Sequence, residues 1–256
     1  VEMTAELPVV AERSMYWSGK DGRSGGHASP GVTAPQRKWF LAEGYTGEGF
    51  DTFVLLANPN REKALVRLSF LLPDGYFTRY YELEPCSRKT LHLNEEPGLE
   101  DTDVSVTVDA NMPVAVERSM YFDYFGIKEG TNSTACASPS RRSYLAEGYT
   151  GPGFDTYLLL ENPGGKHTEA TLRFLLSDGS ESKFNVHVPA RSRRTVKVND
   201  LKGMNGREFS TLVVSGEPVV VERSIYFRLG EKDGGHAAMG VASPALEWFF
   251  AEGCTR

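Results

Sequence analysis

The sequence has little of what most functional classes require. Only three cysteines occur in 256 residues, Cys86, Cys136 and Cys254. They lack metal-type spacing, and an odd count closes no disulfide framework, although an incidental Cys86–Cys136 bond stays open. Basic excess is absent: 28 Lys and Arg against 34 Asp and Glu leave a net charge of −6. Nucleic-acid binders and ligands of acidic membranes carry basic patches, so neither partner is expected. Long hydrophobic runs are missing too. Stretches such as Phe53-Val54-Leu55-Leu56-Ala57 span a few residues, where a membrane helix needs about 20. No segment shows a capped 3.6-residue stripe, and the sequence opens at Val1 in the middle of a pattern that returns later, with no basic-then-apolar stretch at its start. The chain therefore reads as a fragment of a longer protein, with no membrane span in it.

What is present is repetition. Pro8-Val9-Val10-Ala11-Glu12-Arg13-Ser14-Met15-Tyr16-Trp17 returns at Pro113–Phe122 and again at Pro218–Phe227, each time after 105 residues. Trp39-Phe40-Leu41-Ala42-Glu43-Gly44 recurs around Glu147 and Glu252, Gly49-Phe50-Asp51-Thr52 matches Gly153-Phe154-Asp155-Thr156, and Asn58-Pro59 matches Asn162-Pro163. That period suits a whole domain. The expected division is a final strand and linker of one unit (1–34), complete units at 35–138 and 139–243, and a following unit's first strand (244–256).

Within a unit, apolar residues alternate with period two, as in Val66, Leu68, Phe70 and Leu72. Pro73-Asp74-Gly75 and Ser177-Asp178-Gly179 supply turns. Seven short strands are expected, with Val104–Val108 and Pro113–Phe122 as separate ones. The fold class is thus all-β, tandem seven-stranded immunoglobulin-like sandwiches, with a jelly roll as the alternative. The Gly-rich segments Gly25–Pro35 and Gly234–Pro244, partly kept at Glu129–Pro139, read as short ordered linkers.

The combination of Ala-Glu-Gly, Gly-Phe-Asp-Thr and Glu-Arg-Ser-Met-Tyr followed by Gly-Gly-His-Ala resembles a tandem module of large secreted and cell-wall-associated bacterial proteins. The resemblance spans essentially the whole chain. It implies an extracellular or cell-surface β module without catalysis. In that family an acidic residue often follows the histidine. Here Ala28 and Ala237 do so, and Thr131 replaces the histidine in the middle copy.

The residues offer weak chemistry. Gly22-Arg23-Ser24-Gly25-Gly26 matches the nucleophile-elbow pattern, but a linker surrounds it rather than a strand and a helix. The five histidines show no zinc-ligand clustering. Asp51 and Asp155 lack the closely spaced carboxylates of a calcium loop. Asn132-Ser133-Thr134 matches the glycosylation pattern once. Neither metal nor cofactor is expected.

Paired carboxylates across a cleft hydrolyse glycosides, yet Glu12, Glu43, Asp51 and their repeats belong to the common frame. Structural use fits them better. Arg118 shares a face with Val116, Met120 and Phe122, and a buried arginine needs an anionic partner. Arg13, Arg118 and Arg223 are therefore expected to pair with the Ala-Glu-Gly carboxylates Glu43, Glu147 and Glu252, in that order. Tyr16, Tyr121 and Tyr226, with His27 and His236, are the ligand-facing candidates, since polar-tipped rings suit sugars. The expected role is a non-enzymatic structural module in an elongated array, whose partners are neighbouring copies joined head to tail. A polysaccharide-binding module is the alternative.

Overall fold

A computed structural model describes residues 1–20 and 22–253. The protein is all-β, with two tandem domains, each a strongly curled antiparallel half-barrel of seven strands. It opens on a two-stranded hairpin, β1 (Glu12–Ser18) and β2 (Ser24–Pro30). The first curled sheet is built from β3 (Gln36–Leu41), β4 (Phe50–Asn58), β5 (Ala64–Leu72), β6 (Gly75–Leu83), β7 (Ser87–His92), β8 (Ser105–Tyr124) and β9 (Ile127–Thr134). The second repeats it with β10 (Ser140–Leu145), β11 (Phe154–Asn162), β12 (Thr168–Leu176), β13 (Glu181–Val188), β14 (Ser192–Lys197), β15 (Phe209–Leu229) and β16 (Lys232–Met239). Among the described residues no helix is long and apolar enough to cross a membrane.

One strand organises each unit. The first part of β8 pairs with β5 and β3, and its last part pairs with β4 and β9. The two separate sheets of an immunoglobulin sandwich are thus replaced by one sheet folded over a shared strand. The expected break at Pro113 is a bulge instead. Between Gln36↔Val114 and Lys38↔Asp109 the register slips, so residues 110–113 loop out of the ladder with β3. Proline lacks an N–H and is tolerated at such a bulge. Pro218 occupies the same irregularity in β15. The expected linkers are strands: β2, β9 and β16 each pair with the strand before them.

Each curled sheet closes on its own core. Leu68 and Phe70 from β5 meet Val54 and Leu56 from β4, with Val106 and Val116 of β8 between them. Leu158, Leu172, Phe174, Val213 and Val221 repeat this. Two buried asparagines lock the loops. Asn58 Nδ2 donates to the carbonyls of Glu62, Leu83 and Glu84, and its Oδ1 accepts from Asn60 N. Asn162 does the same with Lys166, Val188, Pro189 and Gly164. The glycine of Gly-Phe-Asp-Thr is needed for close approach. Gly49 has φ 82°, and an added Cβ would sit 2.8 Å from Asp123 O. Gly153 repeats this at φ 80° and 2.3 Å from Arg228 O.

Candidate functional site: a buried ionic joint between units

The repeated polar residues converge where one unit meets the next. Arg118 is 1% exposed and Glu222, from the following unit, 0%. Arg118 Nη1 lies 2.9 Å from Glu222 Oε2 and donates to Glu43 O at 3.1 Å, while Nη2 lies 3.4 Å from Glu43 Oε2. Glu43 N donates to Glu222 Oε2 at 2.7 Å, and Ser224 Oγ donates to Glu43 Oε2. Arg193, equally buried, donates to Gly44 O at 2.6 Å and Val104 O at 2.9 Å. Beside it, Thr107 Oγ1 lies 2.6 Å from Glu161 Oε1. Apolar residues of both units seal the joint: Phe40 and Ala42 pack with Leu159 and Val220, and Met120 and Phe122 with Tyr226.

The electrostatics follow from this exclusion of water. Burial pushes Glu43 above the usual carboxylate range, opposed by Arg118. Burial also works against the charge on Arg118, but Glu222 and Glu43 together hold its pKa above the ordinary value. Arg193 is lowered by burial. Glu161 is pushed up to about 8 by burial, which leaves it largely protonated at neutral pH. Arg193 also has a carboxylate partner outside the cluster, since its Nη2 lies 3.6 Å from Asp103 Oδ1.

The joint occurs twice. Arg13 Nη2 lies 2.8 Å from Glu117 Oε2, which is the Arg118–Glu222 contact moved back one unit. Trp17 meets Tyr121 edge-on at 5.5 Å, and their counterparts Phe122 and Tyr226 do so at 4.9 Å. Asp51 reaches back to Arg23 at 2.6 Å and Asp155 reaches back to Tyr124 Oη at 2.5 Å.

The expected pairings are shifted by one unit. Arg13 pairs with Glu117 and Asn132 rather than Glu43. Arg118 takes Glu43 and Glu222 rather than Glu147, and Arg223 lies 2.9 Å from Glu147 rather than bonding Glu252. The reason is topological: β3 pairs with β8 and β10 with β15, each inside one sheet, so Arg118 and Arg223 meet the Ala-Glu-Gly carboxylate that precedes them. Glu252 instead accepts from Ser14 Oγ, and its N–H donates to Glu12. This contact brings the two end segments of the described chain together.

Of the ligand-facing candidates, Tyr226 is buried and Tyr121 is covered by Trp17, because both face a neighbouring unit. Tyr16 is 78% exposed. His27 packs on Trp17 at 5.4 Å, and His236 Nδ1 lies 2.8 Å from Arg223 Nη2. Burial lowers both histidines, with the neighbouring arginines adding to it. Ser24 lies in β2 with no helix after it, and Asn132 is buried against Ser119 and Glu117. Cys86 and Cys136 are free thiols, while Cys254 lies outside the described residues. Among the described residues no group of His, Cys, Asp or Glu could hold a metal.

Glu222, Arg193 and Glu161 were not among the expected site residues. Strand alternation put Glu222 on the face away from Arg223, and a strand packed between two neighbours uses both faces. The repeated Glu-Arg dipeptide was the signal for Glu222, one charge toward each neighbour. Arg193 recurs as Arg88, but Ala57 stands where Glu161 does, so no repeat marks Glu161.

No protein-family model and no curated protein sequence matches the chain. Among solved structures, Thermotoga maritima 1070 is similar over 41% of this chain and 96% of its own, at 17% identity and TM-score 0.39. The Anabaena sensory rhodopsin transducer is similar over 33% of this chain and 95% of its own, at 24% identity and TM-score 0.31.

Proposed function

We propose that this chain is a non-enzymatic structural repeat of an extracellular or cell-surface bacterial protein, built to join its neighbours into an array. One observation carries the reading: Arg118 and Glu222, both from the thrice-repeated Glu-Arg-Ser motif, form a sealed bond between units. A buried pair of this kind adds little net stability over an apolar joint, but breaking one side costs several kcal/mol. It therefore sets which surfaces meet, and in what register. The location comes from the resemblance to secreted and cell-wall modules.

A carbohydrate-binding module is the second reading, favoured by the outward ring of Tyr16. A glycan array and a cell-wall pulldown separate the two. The structural reading expects no glycan retained above background by the intact chain. Binding that Tyr16→Ala abolishes, with the melting curve unchanged, would replace it with the second.

A further inference from the structure

The end-to-end contact repeats the joint between units. In the joint, Glu43 N donates to Glu222 and Ser224 Oγ donates to Glu43. At the ends, Glu252 N donates to Glu12 at 3.2 Å and Ser14 Oγ donates to Glu252. Glu252 is the counterpart of Glu43, Glu12 of Glu222, and Ser14 of Ser224. In each case the carboxylate of a preceding unit meets the Glu-Arg-Ser strand of the next. The segment 244–253 therefore stands before the hairpin β1–β2, although it follows both complete units in the sequence.

We infer that four successive units close into a ring within one chain, the fourth seated on the first through the same glutamate and serine hydrogen bonds that Glu43 makes with Glu222 and Ser224. Identical heterologous contacts either close or run on as a helix, according to the rotation between units. Here the rotation closes. A second observation agrees: the tips of three successive hairpins line one shared hollow of about 660 Å³. Its walls include the equivalent residues Ser24, Lys128 and Asp233, with Gly22, Gly126 and Glu231. A straight array would string such equivalents along a line, whereas a ring gathers them around an axis. Only the polar part of the joint is formed where the ends meet: Phe40 and Val220 share a buried cluster, while their counterparts Phe249 and Val10 are 70% and 47% exposed.

The closure rests on the joint being the device that organises the array, and its test differs from that of the joint. Ser14→Cys and Glu252→Cys are introduced together, with Cys86, Cys136 and Cys254 changed to serine. Arg13→Cys with Glu117→Cys in the same background reports a joint between consecutive units. After mild oxidation, a disulfide between positions 14 and 252 is expected within the monomer, to at least half the extent of the control. A link formed only between chains, or none beside a linked control, overturns the ring. Spin labels at the same two sites, read by dipolar spectroscopy, are expected to give one short, narrow distance. A broad distribution overturns closure even if oxidation fails, and either failure leaves the Arg118 joint standing.

Discussion

At the scale of single residues, the joint separates two kinds of ion pair made by the same motif. Arg118 is sealed from water, whereas Arg13 is half exposed beside Glu117. Exposed pairs contribute about 0–1 kcal/mol, and stranding a buried charge costs about 3–5 kcal/mol. Arg118→Ala leaves Glu43 and Glu222 facing each other without the cation that lies between them, so it is expected to lose several kcal/mol in a urea titration. Glu117→Ala is expected to lose about 1 kcal/mol or less in the same titration. Equal losses would contradict the assignment of the joint. Glu161 supplies a pH dependence. Its folded pKa, about 8, lies above an unfolded value of about 4.3. Stability from this group is therefore full below about pH 4 and is lost as pH rises toward 8. Glu161→Gln, which keeps the shape and removes the titration, is expected to flatten that decline. Melting temperatures from pH 4 to 9 for both proteins measure it, and parallel curves would refute it.

At the scale of strands and loops, legibility in the sequence followed the reach of each interaction. Period-two alternation in Phe50–Asn58 and residues 66–72 depends on neighbours across one sheet, and β4 and β5 lie there. The shared course of β8 was hidden because Pro113 signals a break locally, while the ladders to β4 and β5 carry the strand through. These segments read as ordered linkers rather than strands because Gly25-Gly26 and Gly234-Gly235 have poor strand propensity. Tertiary packing demands them nonetheless: a Cβ on Gly235 would lie 2.3 Å from the Phe122 ring of the preceding unit. The arginine and its need for a carboxylate were legible in the ionic joint, but the choice of carboxylate depends on which strands pair. Asn162 offers a check at this scale. Removing its amide frees one buried and two part-buried carbonyls at once, and a buried one costs about 1–3 kcal/mol when left unpaired. Asn162→Ala is therefore expected to lower the unfolding midpoint in urea far more than Asn185→Ala, whose side chain bonds Thr171 at the surface. Similar midpoints for the two variants would refute the clamp.

For the whole molecule, the account holds that the units are one cooperative body because their ionic and apolar groups are shared across the joint. Independent beads would instead unfold one by one, as modules with open linkers do. Calorimetry distinguishes these cases, since a two-state transition has equal calorimetric and van't Hoff enthalpies. The intact chain is expected to give one such transition spanning both curled sheets, and Arg118→Ala is expected to split it into two. Two separate transitions in the unaltered protein, or a single transition indifferent to Arg118→Ala, would contradict the claim that this buried joint couples the units.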